Sequence, residues 1–190
     1  SVMVEHNSGV KVLMAPARPE LAELIHPEHV RKILGLLKTE YDYVVVDTQP
    51  TFEDTMLTVL DLSDQILALT TLEMPAIKNM KLFLEVAYAL HYSSEKLLMV
   101  LNRADSTGGI DVSDIEQSMR FRVSASIVSD GHTMTTAVNQ GIPAVVSHRE
   151  SVVARNIFDL ATKLLSEADA AEAQKKPVGA TPGSREGKSG

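Results

Sequence analysis

The residues with most to offer chemically stand where apolar runs stop. Val44-Val45-Val46 ends at Asp47, and Thr48-Gln49-Pro50 follows. Leu97-Leu98-Met99-Val100-Leu101 ends at Asn102-Arg103-Ala104-Asp105, and Val123 to Val128 ends at Ser129-Asp130-Gly131. A run apolar on both faces suits a strand covered by helices on each side. In open α/β sheets, ligands bind at the carboxyl edge of the strands. Asp47, Asn102 and Asp130 could therefore meet at one edge. The same residues can also cap a helix or close a turn. The six histidines are scattered without metal-ligand spacing, and no cysteine is present for a disulfide or a thiolate metal site.

The elements that would position these residues alternate. Val10 to Met14 reads as a short strand, closed by Ala15-Pro16-Ala17-Arg18-Pro19, where two prolines argue against helix and sheet. Pro27 suits a first helical turn, and Val30, Ile33, Leu34 and Leu37 repeat at helical spacing. The strand Tyr43–Val46 follows as the predicted centre of the sheet. A helix over Phe52 to about Leu62 leads to a second buried strand, Gln65 to Thr70. Pro75 opens a long helix to about Tyr92. Its core stripe is Ile77, Met80, Phe83, Leu84, Ala87 and Leu90, and Leu82, Val86 and Ala89 widen the apolar face. Such width suits deep burial or a partner surface, and deep burial is the expectation.

After the strand Leu97–Leu101 comes a flexible loop, Ser106-Thr107-Gly108-Gly109. Asp111 can cap a short helix with Val112, Ile115 and Met119 inward. Asp130 can cap the next, with Met134, Ala137 and Val138 inward. Gly141 and Pro143 stop that helix. A last helix is predicted from about Ser151 to Glu167. Residues 168–190 shift to a polar composition expected to be disordered. The class is α/β with a mainly parallel sheet, in one domain over residues 1–167.

Composition bounds the rest. The chain has 190 residues, 44% of them apolar, which is enough for one core. Net charge is −7, which argues against general nucleic-acid binding. No run reaches the roughly 20 apolar residues of a membrane span, and no secretory signal is visible. A cytoplasmic location fits. The first residue is Ser1, so a piece of a longer protein is the expectation.

Five stretches carry a family resemblance. They are Tyr41-Asp42-Tyr43-Val44-Val45-Val46-Asp47 with Pro50, Leu60-Asp61-Leu62-Ser63-Asp64, Thr70 to Asn79, Val100-Leu101-Asn102-Arg103-Ala104-Asp105, and Ala137-Val138-Asn139-Gln140-Gly141-Ile142-Pro143. In this order and spacing, over about residues 10–166, the chain resembles the carboxyl-terminal two-thirds of a MinD/ParA-type P-loop ATPase domain. The branch it looks most like is the CpaE/TadZ-like pilus-assembly proteins. The resemblance implies a three-layer α/β/α fold, with ATP and Mg²⁺ as cofactors. It implies that Asp47 is the switch acid, linked to Mg²⁺ through water and to the attacking water. It also implies that Asn102 bonds the adenine edge, that Arg103 flanks the base, and that the loop at Val128-Ser129-Asp130 passes the base by its backbone. Asp130 also reads as a helix cap. Partners implied are the nucleotide, a second copy in the complete domain, and pilus or secretion-system proteins.

The chain departs from the family in two places. The Gly-rich, lysine-bearing phosphate loop has no counterpart in these 190 residues. Phosphoryl transfer depends on such positioning, so the chain by itself is expected to be inactive and mainly monomeric. Val128-Ser129 stands where the family usually has Ile-Pro, which leaves the backbone contact in place but less rigid. Asn102-Arg103-Ala104-Asp105 also resembles the guanine-reading Asn-Lys-x-Asp motif, so a GTP-binding relative is one alternative. A non-catalytic interaction domain of the same fold is another. No direct membrane anchor is expected, because Ser166 to Gln174 is acidic and Ala-rich without a bulky apolar face.

Overall fold

The computed structural model describes residues 3–106 and 109–175. The chain divides into two compact units, Ser1–Ile66 and Leu67–Gly190.

In the first unit β1 (Val4–Glu5) pairs antiparallel with β2 (Lys11–Val12), with Val4 opposite Val12. The connecting turn closes through the His6 N–H donating to the Val10 carbonyl at 2.8 Å. A single helical turn, α1 (Pro19–Ala22), follows. The proline pair was expected to exclude helix here. Pro19 instead opens the turn, because a first-turn residue needs no N–H bond and its φ is already helical. Helix α2 (Pro27–Glu40) packs on α3 (Asp54–Leu62). The Lys38 ammonium donates to the Leu62 carbonyl and pairs with Asp64, both at 2.8 Å. A cation there complements the negative end of α3.

The predicted central strand is the main correction. Residues 43–49 carry no ladder, and Tyr43, Val45 and Val46 are 59%, 91% and 41% exposed. An apolar run becomes a buried strand only when neighbours pair its backbone and cover its faces. Among the described residues, the ladder of this unit is β1 with β2 alone. Tyr41, just before the run, meets the hairpin region: its hydroxyl donates to the Met3 sulfur at 3.7 Å, and the Lys11 ammonium sits 5.8 Å from its ring centre.

The second unit is built on a three-stranded sheet in the order β3 (Ile66–Thr70), β4 (Leu97–Asn102), β5 (Val123–Ile127). β4 and β5 run parallel, with Val100 opposite Ala125 and Asn102 opposite Ile127. β4 is buried on both faces as predicted, and Met99, Val100 and Leu101 are fully buried. β3 differs from its prediction. It alternates, with Ile66, Ala68 and Thr70 buried and Leu67 and Leu69 exposed. Helix α4 (Met74–Ala89) buries Ile77, Met80, Leu84 and Ala87, while Leu82 is 56% exposed. The wide apolar face expected to be deeply buried is thus half covered, because one helix presents one stripe to one neighbour.

Helix α5 (Val112–Met119) packs against α4, with Asp111 at its N-cap position but making no side-chain cap bond. Helix α6 (Gly131–Gln140) ends at Gly141, whose φ of 65° is left-handed. Helix α7 (Ala144–Ser147) and helix α8 (Val152–Lys175) follow, and α8 lies on β5. α8 runs past the predicted start of the disordered tail, and residues 176–190 lie outside the described residues. Thr107 and Gly108 of the predicted flexible loop also lie outside them. The mainly parallel α/β class holds.

Candidate functional site

The predicted residues fall in both units. Asp47 lies in the first unit, exposed, within the segment that forms no ladder. It does not cap α3, whose N-cap position is Glu53. Asn102, Arg103, Ser129 and Asp130 lie in the second unit, at the carboxyl ends of the paired strands β4 and β5. The parallel register alone brings these last four together, since Asn102 stands opposite Ile127, two residues before Ser129.

The loop after β4 is tightly specified. Arg103 has a φ of 52°, in the left-handed region that a side chain disfavours by about 1–2 kcal/mol. Such a conformation persists only where surrounding bonds over-determine it. Here they do. The Arg103 N–H donates to Asn102 Oδ1 at 3.0 Å, and the Ser106 N–H donates to the Arg103 carbonyl at 3.0 Å. The Ala104 N–H donates to the Ile127 carbonyl at 3.0 Å, which carries the β4–β5 pairing one step beyond the strands. Asn102 thus fills the turn-closing role that its residue type also allows. Its amide NH₂ lies on the other branch of the same group and is a donor available to a ligand.

The loop after β5 is held by two side chains. The Ser129 N–H donates to Asp105 Oδ1 at 2.6 Å, and the Val128 N–H donates to Asn156 Oδ1 on α8 at 3.2 Å. Hydrogen bonding from Ser129, its backbone N–H foremost, holds the Asp105 carboxyl below the usual carboxylate range. Asp130 caps α6 by accepting from the Thr133 N–H at 3.0 Å. That bond, aided by His132 and His148, lowers its pKa as well. The cap reading of Asp130 is therefore realised. Sequence reasoning missed Asp105 and Asn156 as loop supports. Asn156 left one signal, a polar residue beside the apolar stripe of Val153, Ile157 and Leu160.

Among the described residues a concavity of about 270 Å³ lies between β5 and α8, lined by residues including Ser126, Asn156 and Lys163. Another of about 370 Å³, between α4 and α5, is lined by residues including Lys81, Leu84, Tyr88 and Arg120, and by none of the predicted residues. A rigid loop edge, rather than a deep hole, is what the β4 and β5 ends provide. Among the described residues no group of three His, Asp or Glu forms a protein cage for a metal. Mg²⁺ is usually held by one or two carboxylates, waters and substrate phosphates, so the single carboxylate of Asp47 suits its donor set.

Parallel strands flanked by helices, with loops after β4 and β5 side by side, make this an α/β protein, and its likeness to known proteins gives the fold more closely. No family model matches the chain. It is 23% identical over 171 residues to the septum site-determining protein MinD of Thermotoga maritima, covering 87% of this chain and 62% of that protein. The ParA family ATPase of Chlorobium tepidum superposes with a TM-score of 0.80 at 22% identity, over 84% of this chain and 67% of that one. MinD of Pyrococcus horikoshii complexed with Mg-ADP gives 0.70 at 20% identity, over 90% and 68%. The fold is that of the MinD and ParA ATPases, and the chain is related to them. It spans 62% of the length of the curated relative it matches.

Proposed function

We propose that this chain is the carboxyl-terminal, base-reading part of an ATP-dependent dimeric switch of the MinD/ParA kind. Its task is the positioning or assembly of pilus or secretion machinery, as in the CpaE/TadZ-like branch. The observation that carries the nucleotide reading is the pair of interlocked loops at the carboxyl ends of β4 and β5, with Asn102 at their edge. A related MinD structure holds Mg-ADP, which agrees with that chemistry. In this reading Asn102, Arg103 and the backbone of Ser129 and Asp130 meet the base, and Asp47 holds Mg²⁺ through water. On the same reading the complete protein works in the cytoplasm and forms a homodimer around ATP. Among the described residues no helix is long and apolar enough to cross a membrane.

One feature favours a second reading, a non-catalytic interaction domain of the same fold: the apolar face of α4 is only half covered, with Leu82 56% exposed. A single experiment separates the two. Asp47→Asn keeps the shape and removes the charge. In the full-length protein it is expected to leave ATP binding and the melting temperature nearly unchanged. Turnover should fall by about 10²-fold, or roughly 2.7 kcal/mol of transition-state stabilisation. Steady-state ATPase assays on parent and variant decide it. A parent without turnover supports the interaction domain, and equal turnover in an active parent ends the role of Asp47.

A further inference from the structure

The guanine-like spacing of Asn102 and Asp105 hides a different use of the carboxylate. Asp105 lies one turn beyond the left-handed Arg103, and that turn brings it back over the end of β5. There its Oδ1 accepts the Ser129 N–H at 2.6 Å, a short charge-assisted bond. The neighbouring Val128 N–H is taken by Asn156 Oδ1. The backbone N–H groups of Val128 and Ser129 are therefore both bonded within the protein. What the main chain of Val128 and Ser129 has left for a ligand is carbonyl acceptors.

We infer that Asp105 is a positioning residue for base recognition: its carboxylate takes the Ser129 N–H, so that the main chain of Val128 and Ser129 offers the base carbonyl acceptors rather than N–H donors. Acceptors pair with an exocyclic amino group such as the N6 of adenine, and repel a carbonyl such as the O6 of guanine. An Asp105 engaged in this way is also not free to read guanine. The inference rests on the nucleotide-binding reading above and adds a specificity device to it. Releasing the clasp frees the Ser129 N–H, which can then donate to O6.

The test uses the full-length protein, with Mg-ADP and Mg-GDP as probes in equilibrium binding, and amide exchange across residues 128–130. Asp105→Ala is expected to weaken ADP binding about tenfold, the scale of one charged hydrogen bond, and to lower the ADP-to-GDP preference by a similar factor. The Ser129 amide should exchange faster. Asp105→Asn retains an acceptor oxygen and should restore both. Parent-like affinity and preference in Asp105→Ala would overturn the positioning role, whatever the melting temperature. Equal Ser129 exchange in parent and Asp105→Ala would overturn the clasp itself. A parent that binds neither nucleotide, with Ser129 still protected, overturns the nucleotide reading instead.

Discussion

Leu101 and Leu69 are hard to tell apart in sequence, since each sits near the end of an apolar run before a polar residue. In the fold they differ sharply: Leu101 is 0% exposed near the end of β4, the middle strand of the sheet, and Leu69 is 60% exposed on β3. Truncating a fully buried leucine removes its transfer free energy and leaves a cavity, for about 2–5 kcal/mol. At about 3 kcal/mol, and at roughly 2–4 °C per kcal/mol for a chain of this size, Leu101→Ala should lower Tm by about 6–12 °C. Leu69 has little more than a third of its surface to lose, so Leu69→Ala should cost about 0.5–1 kcal/mol, or roughly 1–4 °C. Differential scanning calorimetry of the 190-residue chain measures both. β4 is held between β3 and β5, so relaxation around Leu101 is limited and the estimate should not collapse to its lower bound. Equal losses for the two variants would refute the reasoning, because they would mean that the exposed face of β3 is packed in solution.

Two further outcomes follow from backbone geometry. Gly141→Ala should destabilise the chain by about 1 kcal/mol, read from urea unfolding. A Cβ there meets nothing within 4 Å, so the cost is the left-handed φ of 65° alone, and a loss near 3 kcal/mol would contradict this. Arg103→Gly should relieve the strain at φ 52° and leave stability equal or up to about 1 kcal/mol higher, while weakening nucleotide binding by the full-length protein. A clear loss of stability would mean that the Arg103 side chain, not the turn, holds the loop.

The second unit was largely legible in the sequence. Leu97 to Leu101 is apolar at every position, as suits a strand buried on both faces, and the polar stop at Asn102 marked its end. Asp130 before a helical repeat and Gly141 after it announced the ends of α6, because caps are local chemistry between a side chain or a φ angle and nearby backbone. The first unit was less legible. Tyr43 to Val46 has the composition of a core strand, yet hydrophobicity supplies only a demand for cover, and pairing partners elsewhere decide whether the demand is met. For the same reason the partial covering of β3 and α4 could not be read from Leu67, Leu69 and Leu82 themselves. The role of Asp105 was decided only in three dimensions. Its bond to Ser129 spans 24 residues of chain and exists because parallel pairing places the ends of β4 and β5 side by side, a coincidence of register that no local spacing encodes.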